Sequence, residues 1–153
     1  MASVESQATR VIHVSPGGLS GRGGMGRFVL YLKEALHSAS PDLRVDVLDS
    51  YGPERKLLMP LWFVATTLRV MRAALAPRSV VILHIHMASY GSALRKLALM
   101  LAGRAAGCRT VLHMHGSEFV EFVKGLSAWR RALLLGAMRR AERIVVIGSF
   151  WQD

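Results

Sequence analysis

Apolar residues gather along the chain in five short runs rich in β-branched side chains, at residues 11–14, 45–49, 80–86, 110–115 and 143–148. Between them the apolar spacing changes to a helical period. Met25, Phe28, Val29 and Leu32 recur at i, i+3, i+4 and i+7, and Leu134, Ala137, Met138 and Ala141 repeat the pattern. Residues 57–76 form a longer apolar stretch that also reads as a helix, with Trp62 and Phe63 near one end and Arg69 and Arg72 further along. Strands alternating with helices, the strands being nearly continuous in apolar character, predict a parallel sheet buried under helices on both faces. The expected fold class is α/β, a Rossmann-like sheet forming one domain over residues 1–153, with no internal repeat and no low-complexity linker.

In such sheets ligands collect beyond the carboxyl ends of the strands, so the residues there are read first for chemistry. The first run leads into a glycine-rich loop containing Gly21, Gly23, Gly24, Met25 and Gly26. Its amides are expected at the start of a helix, where backbone N–H groups and the helix dipole favour a phosphate. Taken literally the loop also contains GxGxxG, with Asp49 ending the second run where a ribose-binding acid would stand. A dinucleotide fingerprint follows its strand directly, however, and here Ser15 to Ser20 intervene.

The third run ends in His84-Ile85-His86 and the fourth in His113-Met114-His115-Gly116-Ser117-Glu118. Period-two alternation puts each pair of imidazoles on one strand face. Carboxylates are few nearby, and His-x-His on a strand is not a specific zinc spacing without a third placed ligand, so no metal is expected. His84 and His113, one step inside, are expected to be packed and hydrogen-bonded. His86 and His115 are expected at the rim, with Gly116 allowing a sharp turn that exposes His115. Ser92 is expected as an N-cap of the next helix, with Arg95 and Lys96 in its first turn, where a cation opposes the dipole and an anionic ligand would compensate.

The net charge is +10, and no acidic residue occurs from residue 55 to residue 117, while nine basic residues do: Arg55, Lys56, Arg69, Arg72, Arg78, Arg95, Lys96, Arg104 and Arg109. A one-signed field recruits polyanions. No recognised nucleic-acid motif accompanies it, which leaves an anionic membrane or a phosphorylated substrate as the better partner. Pro60 and the two arginines make residues 57–76 a poor membrane span; covering the sheet is the commoner fate of such a helix, and a basic, aromatic-bearing one can also lie in a membrane interface. Cys108 is the single cysteine and has no CxxC partner, and the first residues lack a basic then apolar leader, so the cytoplasm is the expected compartment.

GGMGRF after the first run, HIHMASYGSALRK at the third, HMHGSEFVEF at the fourth and AERIVVIGSFW at the fifth, in this order, resemble the N-terminal domain of family 4 glycosyltransferases of the GT-B fold. The closest likeness is to bacterial enzymes of exopolysaccharide and lipid-linked glycan assembly. The resemblance implies retaining transfer of a sugar from a nucleotide-sugar donor to a glycan or lipid-linked acceptor at the cytoplasmic face of the membrane, with neither metal nor cofactor. It implies that His115 faces the reacting sugar and that Gly23, Gly24, Met25 and Gly26 lie by the donor phosphates and the acceptor. His86, Ser92, Arg95, Lys96, Gly116, Ser117 and Glu118 would line the acceptor side. It also implies that the C-terminal domain gripping the nucleotide-sugar is absent, so that this chain alone is expected to be inactive. The rival expectation is a basic Rossmann-like module that binds anionic lipid or nucleic acid without chemistry.

Overall fold

The computed structural model describes residues 8–21, 23–52, 56–76, 79–116 and 118–148. Strand β1 (Ala8–Ser15) is followed by α1 (Gly24–Ala39), β2 (Arg44–Asp49), α2 (Met59–Ala74), β3 (Ser79–Met87), α3 (Gly91–Ala105), β4 (Arg109–Met114), α4 (Phe119–Lys124), α5 (Ala128–Met138) and β5 (Arg143–Val146). All strand pairs are parallel, in the order β2-β1-β3-β4-β5. This is the α/β, Rossmann-like architecture expected from the alternation of periods.

The two faces of the sheet differ in chemistry. On one, Ile12, Val14, Leu83, Ile85, Met87, Leu112 and Met114 are buried against Val70 and Ala73 of α2, Leu97 and Met100 of α3, and Leu134 and Met138 of α5. Each such side chain taken fully out of water stabilises the fold by about 1.5–3 kcal/mol. On the other face α1 lies over β1 and β2 and reaches with Phe28 toward β3 and β4.

Because α1 leaves β1 toward one face and α3 leaves β3 toward the other, the connections diverge between these neighbouring strands. That divergence makes the carboxyl ends of β1 and β3 the topological switch point, where sheets of this kind hold ligands.

Helix α2 carries Pro60 in its first turn, where the missing N–H costs no helical bond. Its Trp62 indole donates to the Asp49 carbonyl at 2.9 Å, and the Thr66 hydroxyl donates to the same oxygen at 3.0 Å. The opposite side of the same segment leaves Leu57, Leu61, Val64, Leu68 and Leu75 exposed. No helix among the described residues is long and apolar enough to cross a membrane. The helical period expected through Ala141 ends early. Helix α5 stops at Met138, and the Glu142 amide, just past Ala141, already donates to the Thr110 carbonyl at 3.1 Å, leading into β5.

Candidate functional site

The loop after β1 turns through Gly17, whose φ of 74° lies in the left-handed region that glycine enters without strain. Asp49 holds this turn. Its carboxylate accepts from the Gly17 amide at 2.7 Å, the Tyr51 amide at 2.7 Å and the Gly52 amide at 3.0 Å. An acid already holding three backbone donors is engaged by the loops, which weighs against a ribose-binding role at this position. Helix α1 then begins at Gly24, with Gly23 as its N-cap and neither a side-chain cap nor an acidic residue in the first turn. Gly26 is buried because the loop doubles back on the helix, and a Cβ there would collide with the Gly21 carbonyl oxygen. Gly23 and Gly24 face open space, so packing does not require glycine at either. Met25 is half-buried between them and the helix.

Parallel register explains why the histidines meet. His13 of β1 stands opposite His84 of β3, and His86 of β3 stands opposite His113 of β4. With His115 two residues further on, five imidazoles share one face of three adjacent strands. His13 Nδ1 lies 3.1 Å from His86 Nε2, and His86 Nδ1 lies 2.9 Å from His115 Nε2. A second pair joins His84 Nε2 to His113 Nδ1 at 3.3 Å. Phe28 presses its ring edge-on over the group, 4.9 Å from the His113 ring and 5.2 Å from that of His115.

Burial disfavours the imidazolium throughout the cluster. It lowers His13 to about 4, assisted by repulsion from His113. His84 falls to about 3 and His115 to about 4 for the same first cause, with neighbouring histidines adding to it. His86 is pushed further down, and His113 is lowered by burial alone. At neutral pH all five are neutral rings able to donate at one nitrogen and accept at the other.

His115 is half-exposed at the rim, as expected, and His113 is buried and hydrogen-bonded, also as expected. His86 departs from its expected rim position: it is fully buried, because Phe28 and the flanking histidines close over it. His84, expected inside, is the partly exposed histidine of β3. Gly116 is not in a left-handed turn. It is small because Ser89 passes beside it, a Cβ there meeting Ser89 Oγ at 3.0 Å.

The β3–α3 connection carries local strain. Tyr90, not Ser92, is the N-cap of α3, and its φ of 57° places a bulky residue outside its favoured regions. Ser92 therefore lies inside the helix, and its hydroxyl, like those of Ser89 and Ser15, is buried without a partner among the described residues. Arg95 is half-buried near Gly91. Lys96 lies beyond the first turn and is 2% exposed. Its ammonium donates to the Val14 carbonyl at 3.1 Å and the His86 carbonyl at 2.9 Å, tying β1 to β3 at the switch point. Burial lowers its pKa to about 7, with nearby Arg95 acting in the same direction. Glu118 is exposed at the start of α4, and Ser117 lies outside the described residues.

Three contributors have roles at the site that the sequence alone does not give. His13 sits in an apolar run and carries no motif, but aligning the strands at their carboxyl ends puts it on the same face as the His-x-His pairs. Asp49 and Phe28 act through folded contacts that spacing does not encode.

Fold and site together define an α/β protein with five histidines on one face of a Rossmann-like parallel sheet, beside its switch point. No model of a known protein family, no curated protein and no solved structure matches this chain.

Proposed function

We propose that the chain is the acceptor-binding half of a retaining glycosyltransferase that moves a sugar from a nucleotide-sugar to a glycan or lipid-linked acceptor. One observation carries the reading: the uncapped α1 and the half-exposed His115 lie at the carboxyl end of the sheet, where Phe28, one turn into α1, stands 5.2 Å from the His115 ring. The first supplies free backbone donors for phosphate. The second supplies a neutral imidazole for a sugar hydroxyl or the reacting oxygen. Gly23 and Gly24, small where packing does not demand it, leave room for a ligand against the backbone. The buried Ser89 hydroxyl beside Gly116 and the buried Ser92 hydroxyl in the first turn of α3 add unpaired polar atoms for the acceptor side. The ordered likeness of four motifs to family 4 glycosyltransferases supports the same reading.

The partner surface follows from α2. Its exposed stripe of Leu57, Leu61, Val64 and Leu68, bordered by Arg69 and Arg72, suits the interface of an anionic membrane. A peripheral position at the cytoplasmic face would bring a lipid-linked acceptor to the carboxyl end of the sheet.

A donor is surrounded only when two domains close on it and exclude water. The purified chain is therefore expected to bind UDP- and GDP-sugars more weakly than micromolar in calorimetry. Joined to a C-terminal donor domain of the GT-B type, it is expected to transfer labelled sugar to a lipid-phosphate acceptor. Micromolar donor binding by the chain alone, or no transfer by the joined protein with any common donor, would count against the proposal.

A further inference from the structure

The His-x-His pair of β3 lacks a third placed ligand in sequence, and the fold provides one. His13 stands opposite His84 in the strand register, its ring centroid 4.8 Å from that of His84 and 5.3 Å from that of His86. We infer that His13, His84 and His86 form a binding site for a late first-row divalent cation of the zinc type, cross-linking β1 to β3 on the face opposite the apolar core.

The ligand atoms of these three residues lie within 4.8 Å of one another. His13 Nδ1 and His86 Nε2 are 3.1 Å apart, close to the edge of about 3.3 Å expected for a tetrahedron with metal–nitrogen bonds of about 2.0–2.1 Å. His13 Nε2 is buried and has no partner among the described residues, so the proton now shared between His13 and His86 has a free nitrogen to move to when the metal takes its place. His84 is the partly exposed member, which gives an ion a route in and leaves a fourth position for water. Neutral imidazoles are the form a metal requires, and burial keeps these rings neutral.

Donor chemistry selects the metal. Three imidazoles with no carboxylate in the triad suit zinc, cobalt, nickel or copper, whereas magnesium and calcium require oxygen ligands. A second triad, His86, His113 and His115, shares His86 and so competes for the same ring. The inner triad is preferred because His13 keeps a buried nitrogen with no partner among the described residues, which its change of tautomer needs. The triad leaves out His115, which the proposed sugar transfer uses, although its His86 lies 2.9 Å from the His115 ring nitrogen.

The test is titration of the chelator-stripped chain with Zn²⁺ by calorimetry and with Co²⁺ by visible absorption. One equivalent is expected to bind with a Kd of about 1 μM or tighter, giving the intense bands of four-coordinate cobalt and a raised Tm, with no response to Mg²⁺. His84→Gln, at the partly exposed position, and His13→Asn are each expected to weaken Zn²⁺ binding about 100-fold while far-UV circular dichroism stays native. His37→Gln, on the exposed side of α1, is expected to change nothing. The inference is overturned if the folded wild-type chain fails to bind Zn²⁺ at about 100 μM. It is equally overturned if folded His84→Gln binds like wild type, or if His115→Gln abolishes binding while His84→Gln spares it.

Discussion

His115 and His113 sit two residues apart on one strand face, yet their surroundings ask different things of them. His115 is half-exposed beside the start of α1, while His113 is sealed under Phe28 and bonded to His84. In the joined two-domain protein, His115→Ala is expected to lower turnover about 10²-fold, since a contact that strengthens in the transition state acts on rate rather than folding. Its Tm should hardly move. His113→Ala is expected to cost roughly 2 kcal/mol in denaturant unfolding, through the cavity and the unpaired nitrogen it leaves. Full turnover by His115→Ala alongside a folded but inactive His113→Ala would reverse the assignment. Strand alternation makes the shared face of these histidines readable from sequence. Depth along the strand does not read out, because the burial of His86 depends on Phe28, 58 positions earlier in the chain. Lys96 misleads for a related reason: a long aliphatic stem carries its ammonium from α3 down to strand carbonyls, so a charge near a helix start need not face solvent.

At the scale of elements, β1, β3 and β4 are legible because they are largely buried and rich in apolar residues, whereas β5 leaves Ile144 and Val145 exposed. Helix α4 has only six residues and offers too little period to declare itself. Helix α2 is apolar on two sides, so its pattern announces burial without saying which side is buried. The structure separates them: Trp62, Thr66, Val70 and Ala73 face inward, and Leu61, Val64 and Leu68 face out. The chain is therefore expected to float with liposomes containing anionic lipid. Recovery should fall as salt is raised, since attraction is screened over about 8–10 Å at moderate ionic strength. Leu61→Glu combined with Val64→Glu should abolish flotation without loss of helicity. Equal recovery with neutral liposomes at every salt concentration would remove the electrostatic part of the reading.

The molecule as a whole stands on unequal faces, one packed with aliphatic side chains and the other with imidazoles. Each shifted histidine has a folded pKa below its unfolded value near 6.5, so the unfolded chain takes up protons first as pH falls. The stability these groups contribute is intact above pH 6.5 and drains away as pH falls from 6.5 toward about 4, where His13 and His115 titrate in the folded state. In chelator-treated protein the Tm is expected to drop by about 5 °C or more between pH 7 and pH 5, and a flat scanning-calorimetry profile over that range would refute it. The strand order has a different consequence, which concerns synthesis. From β1 outward, β3, β4 and β5 are laid down in space in the order in which they leave the ribosome, each on the edge left by the one before. β1 is the exception, for it must wait for β3. At ordinary elongation rates the chain between Ser15 and Ser79 takes on the order of 3–13 seconds to emerge. During that interval one edge of the central strand stays open to any other extended segment, so translational pausing between α2 and β3 would carry the greatest risk of misassembly for the nascent chain.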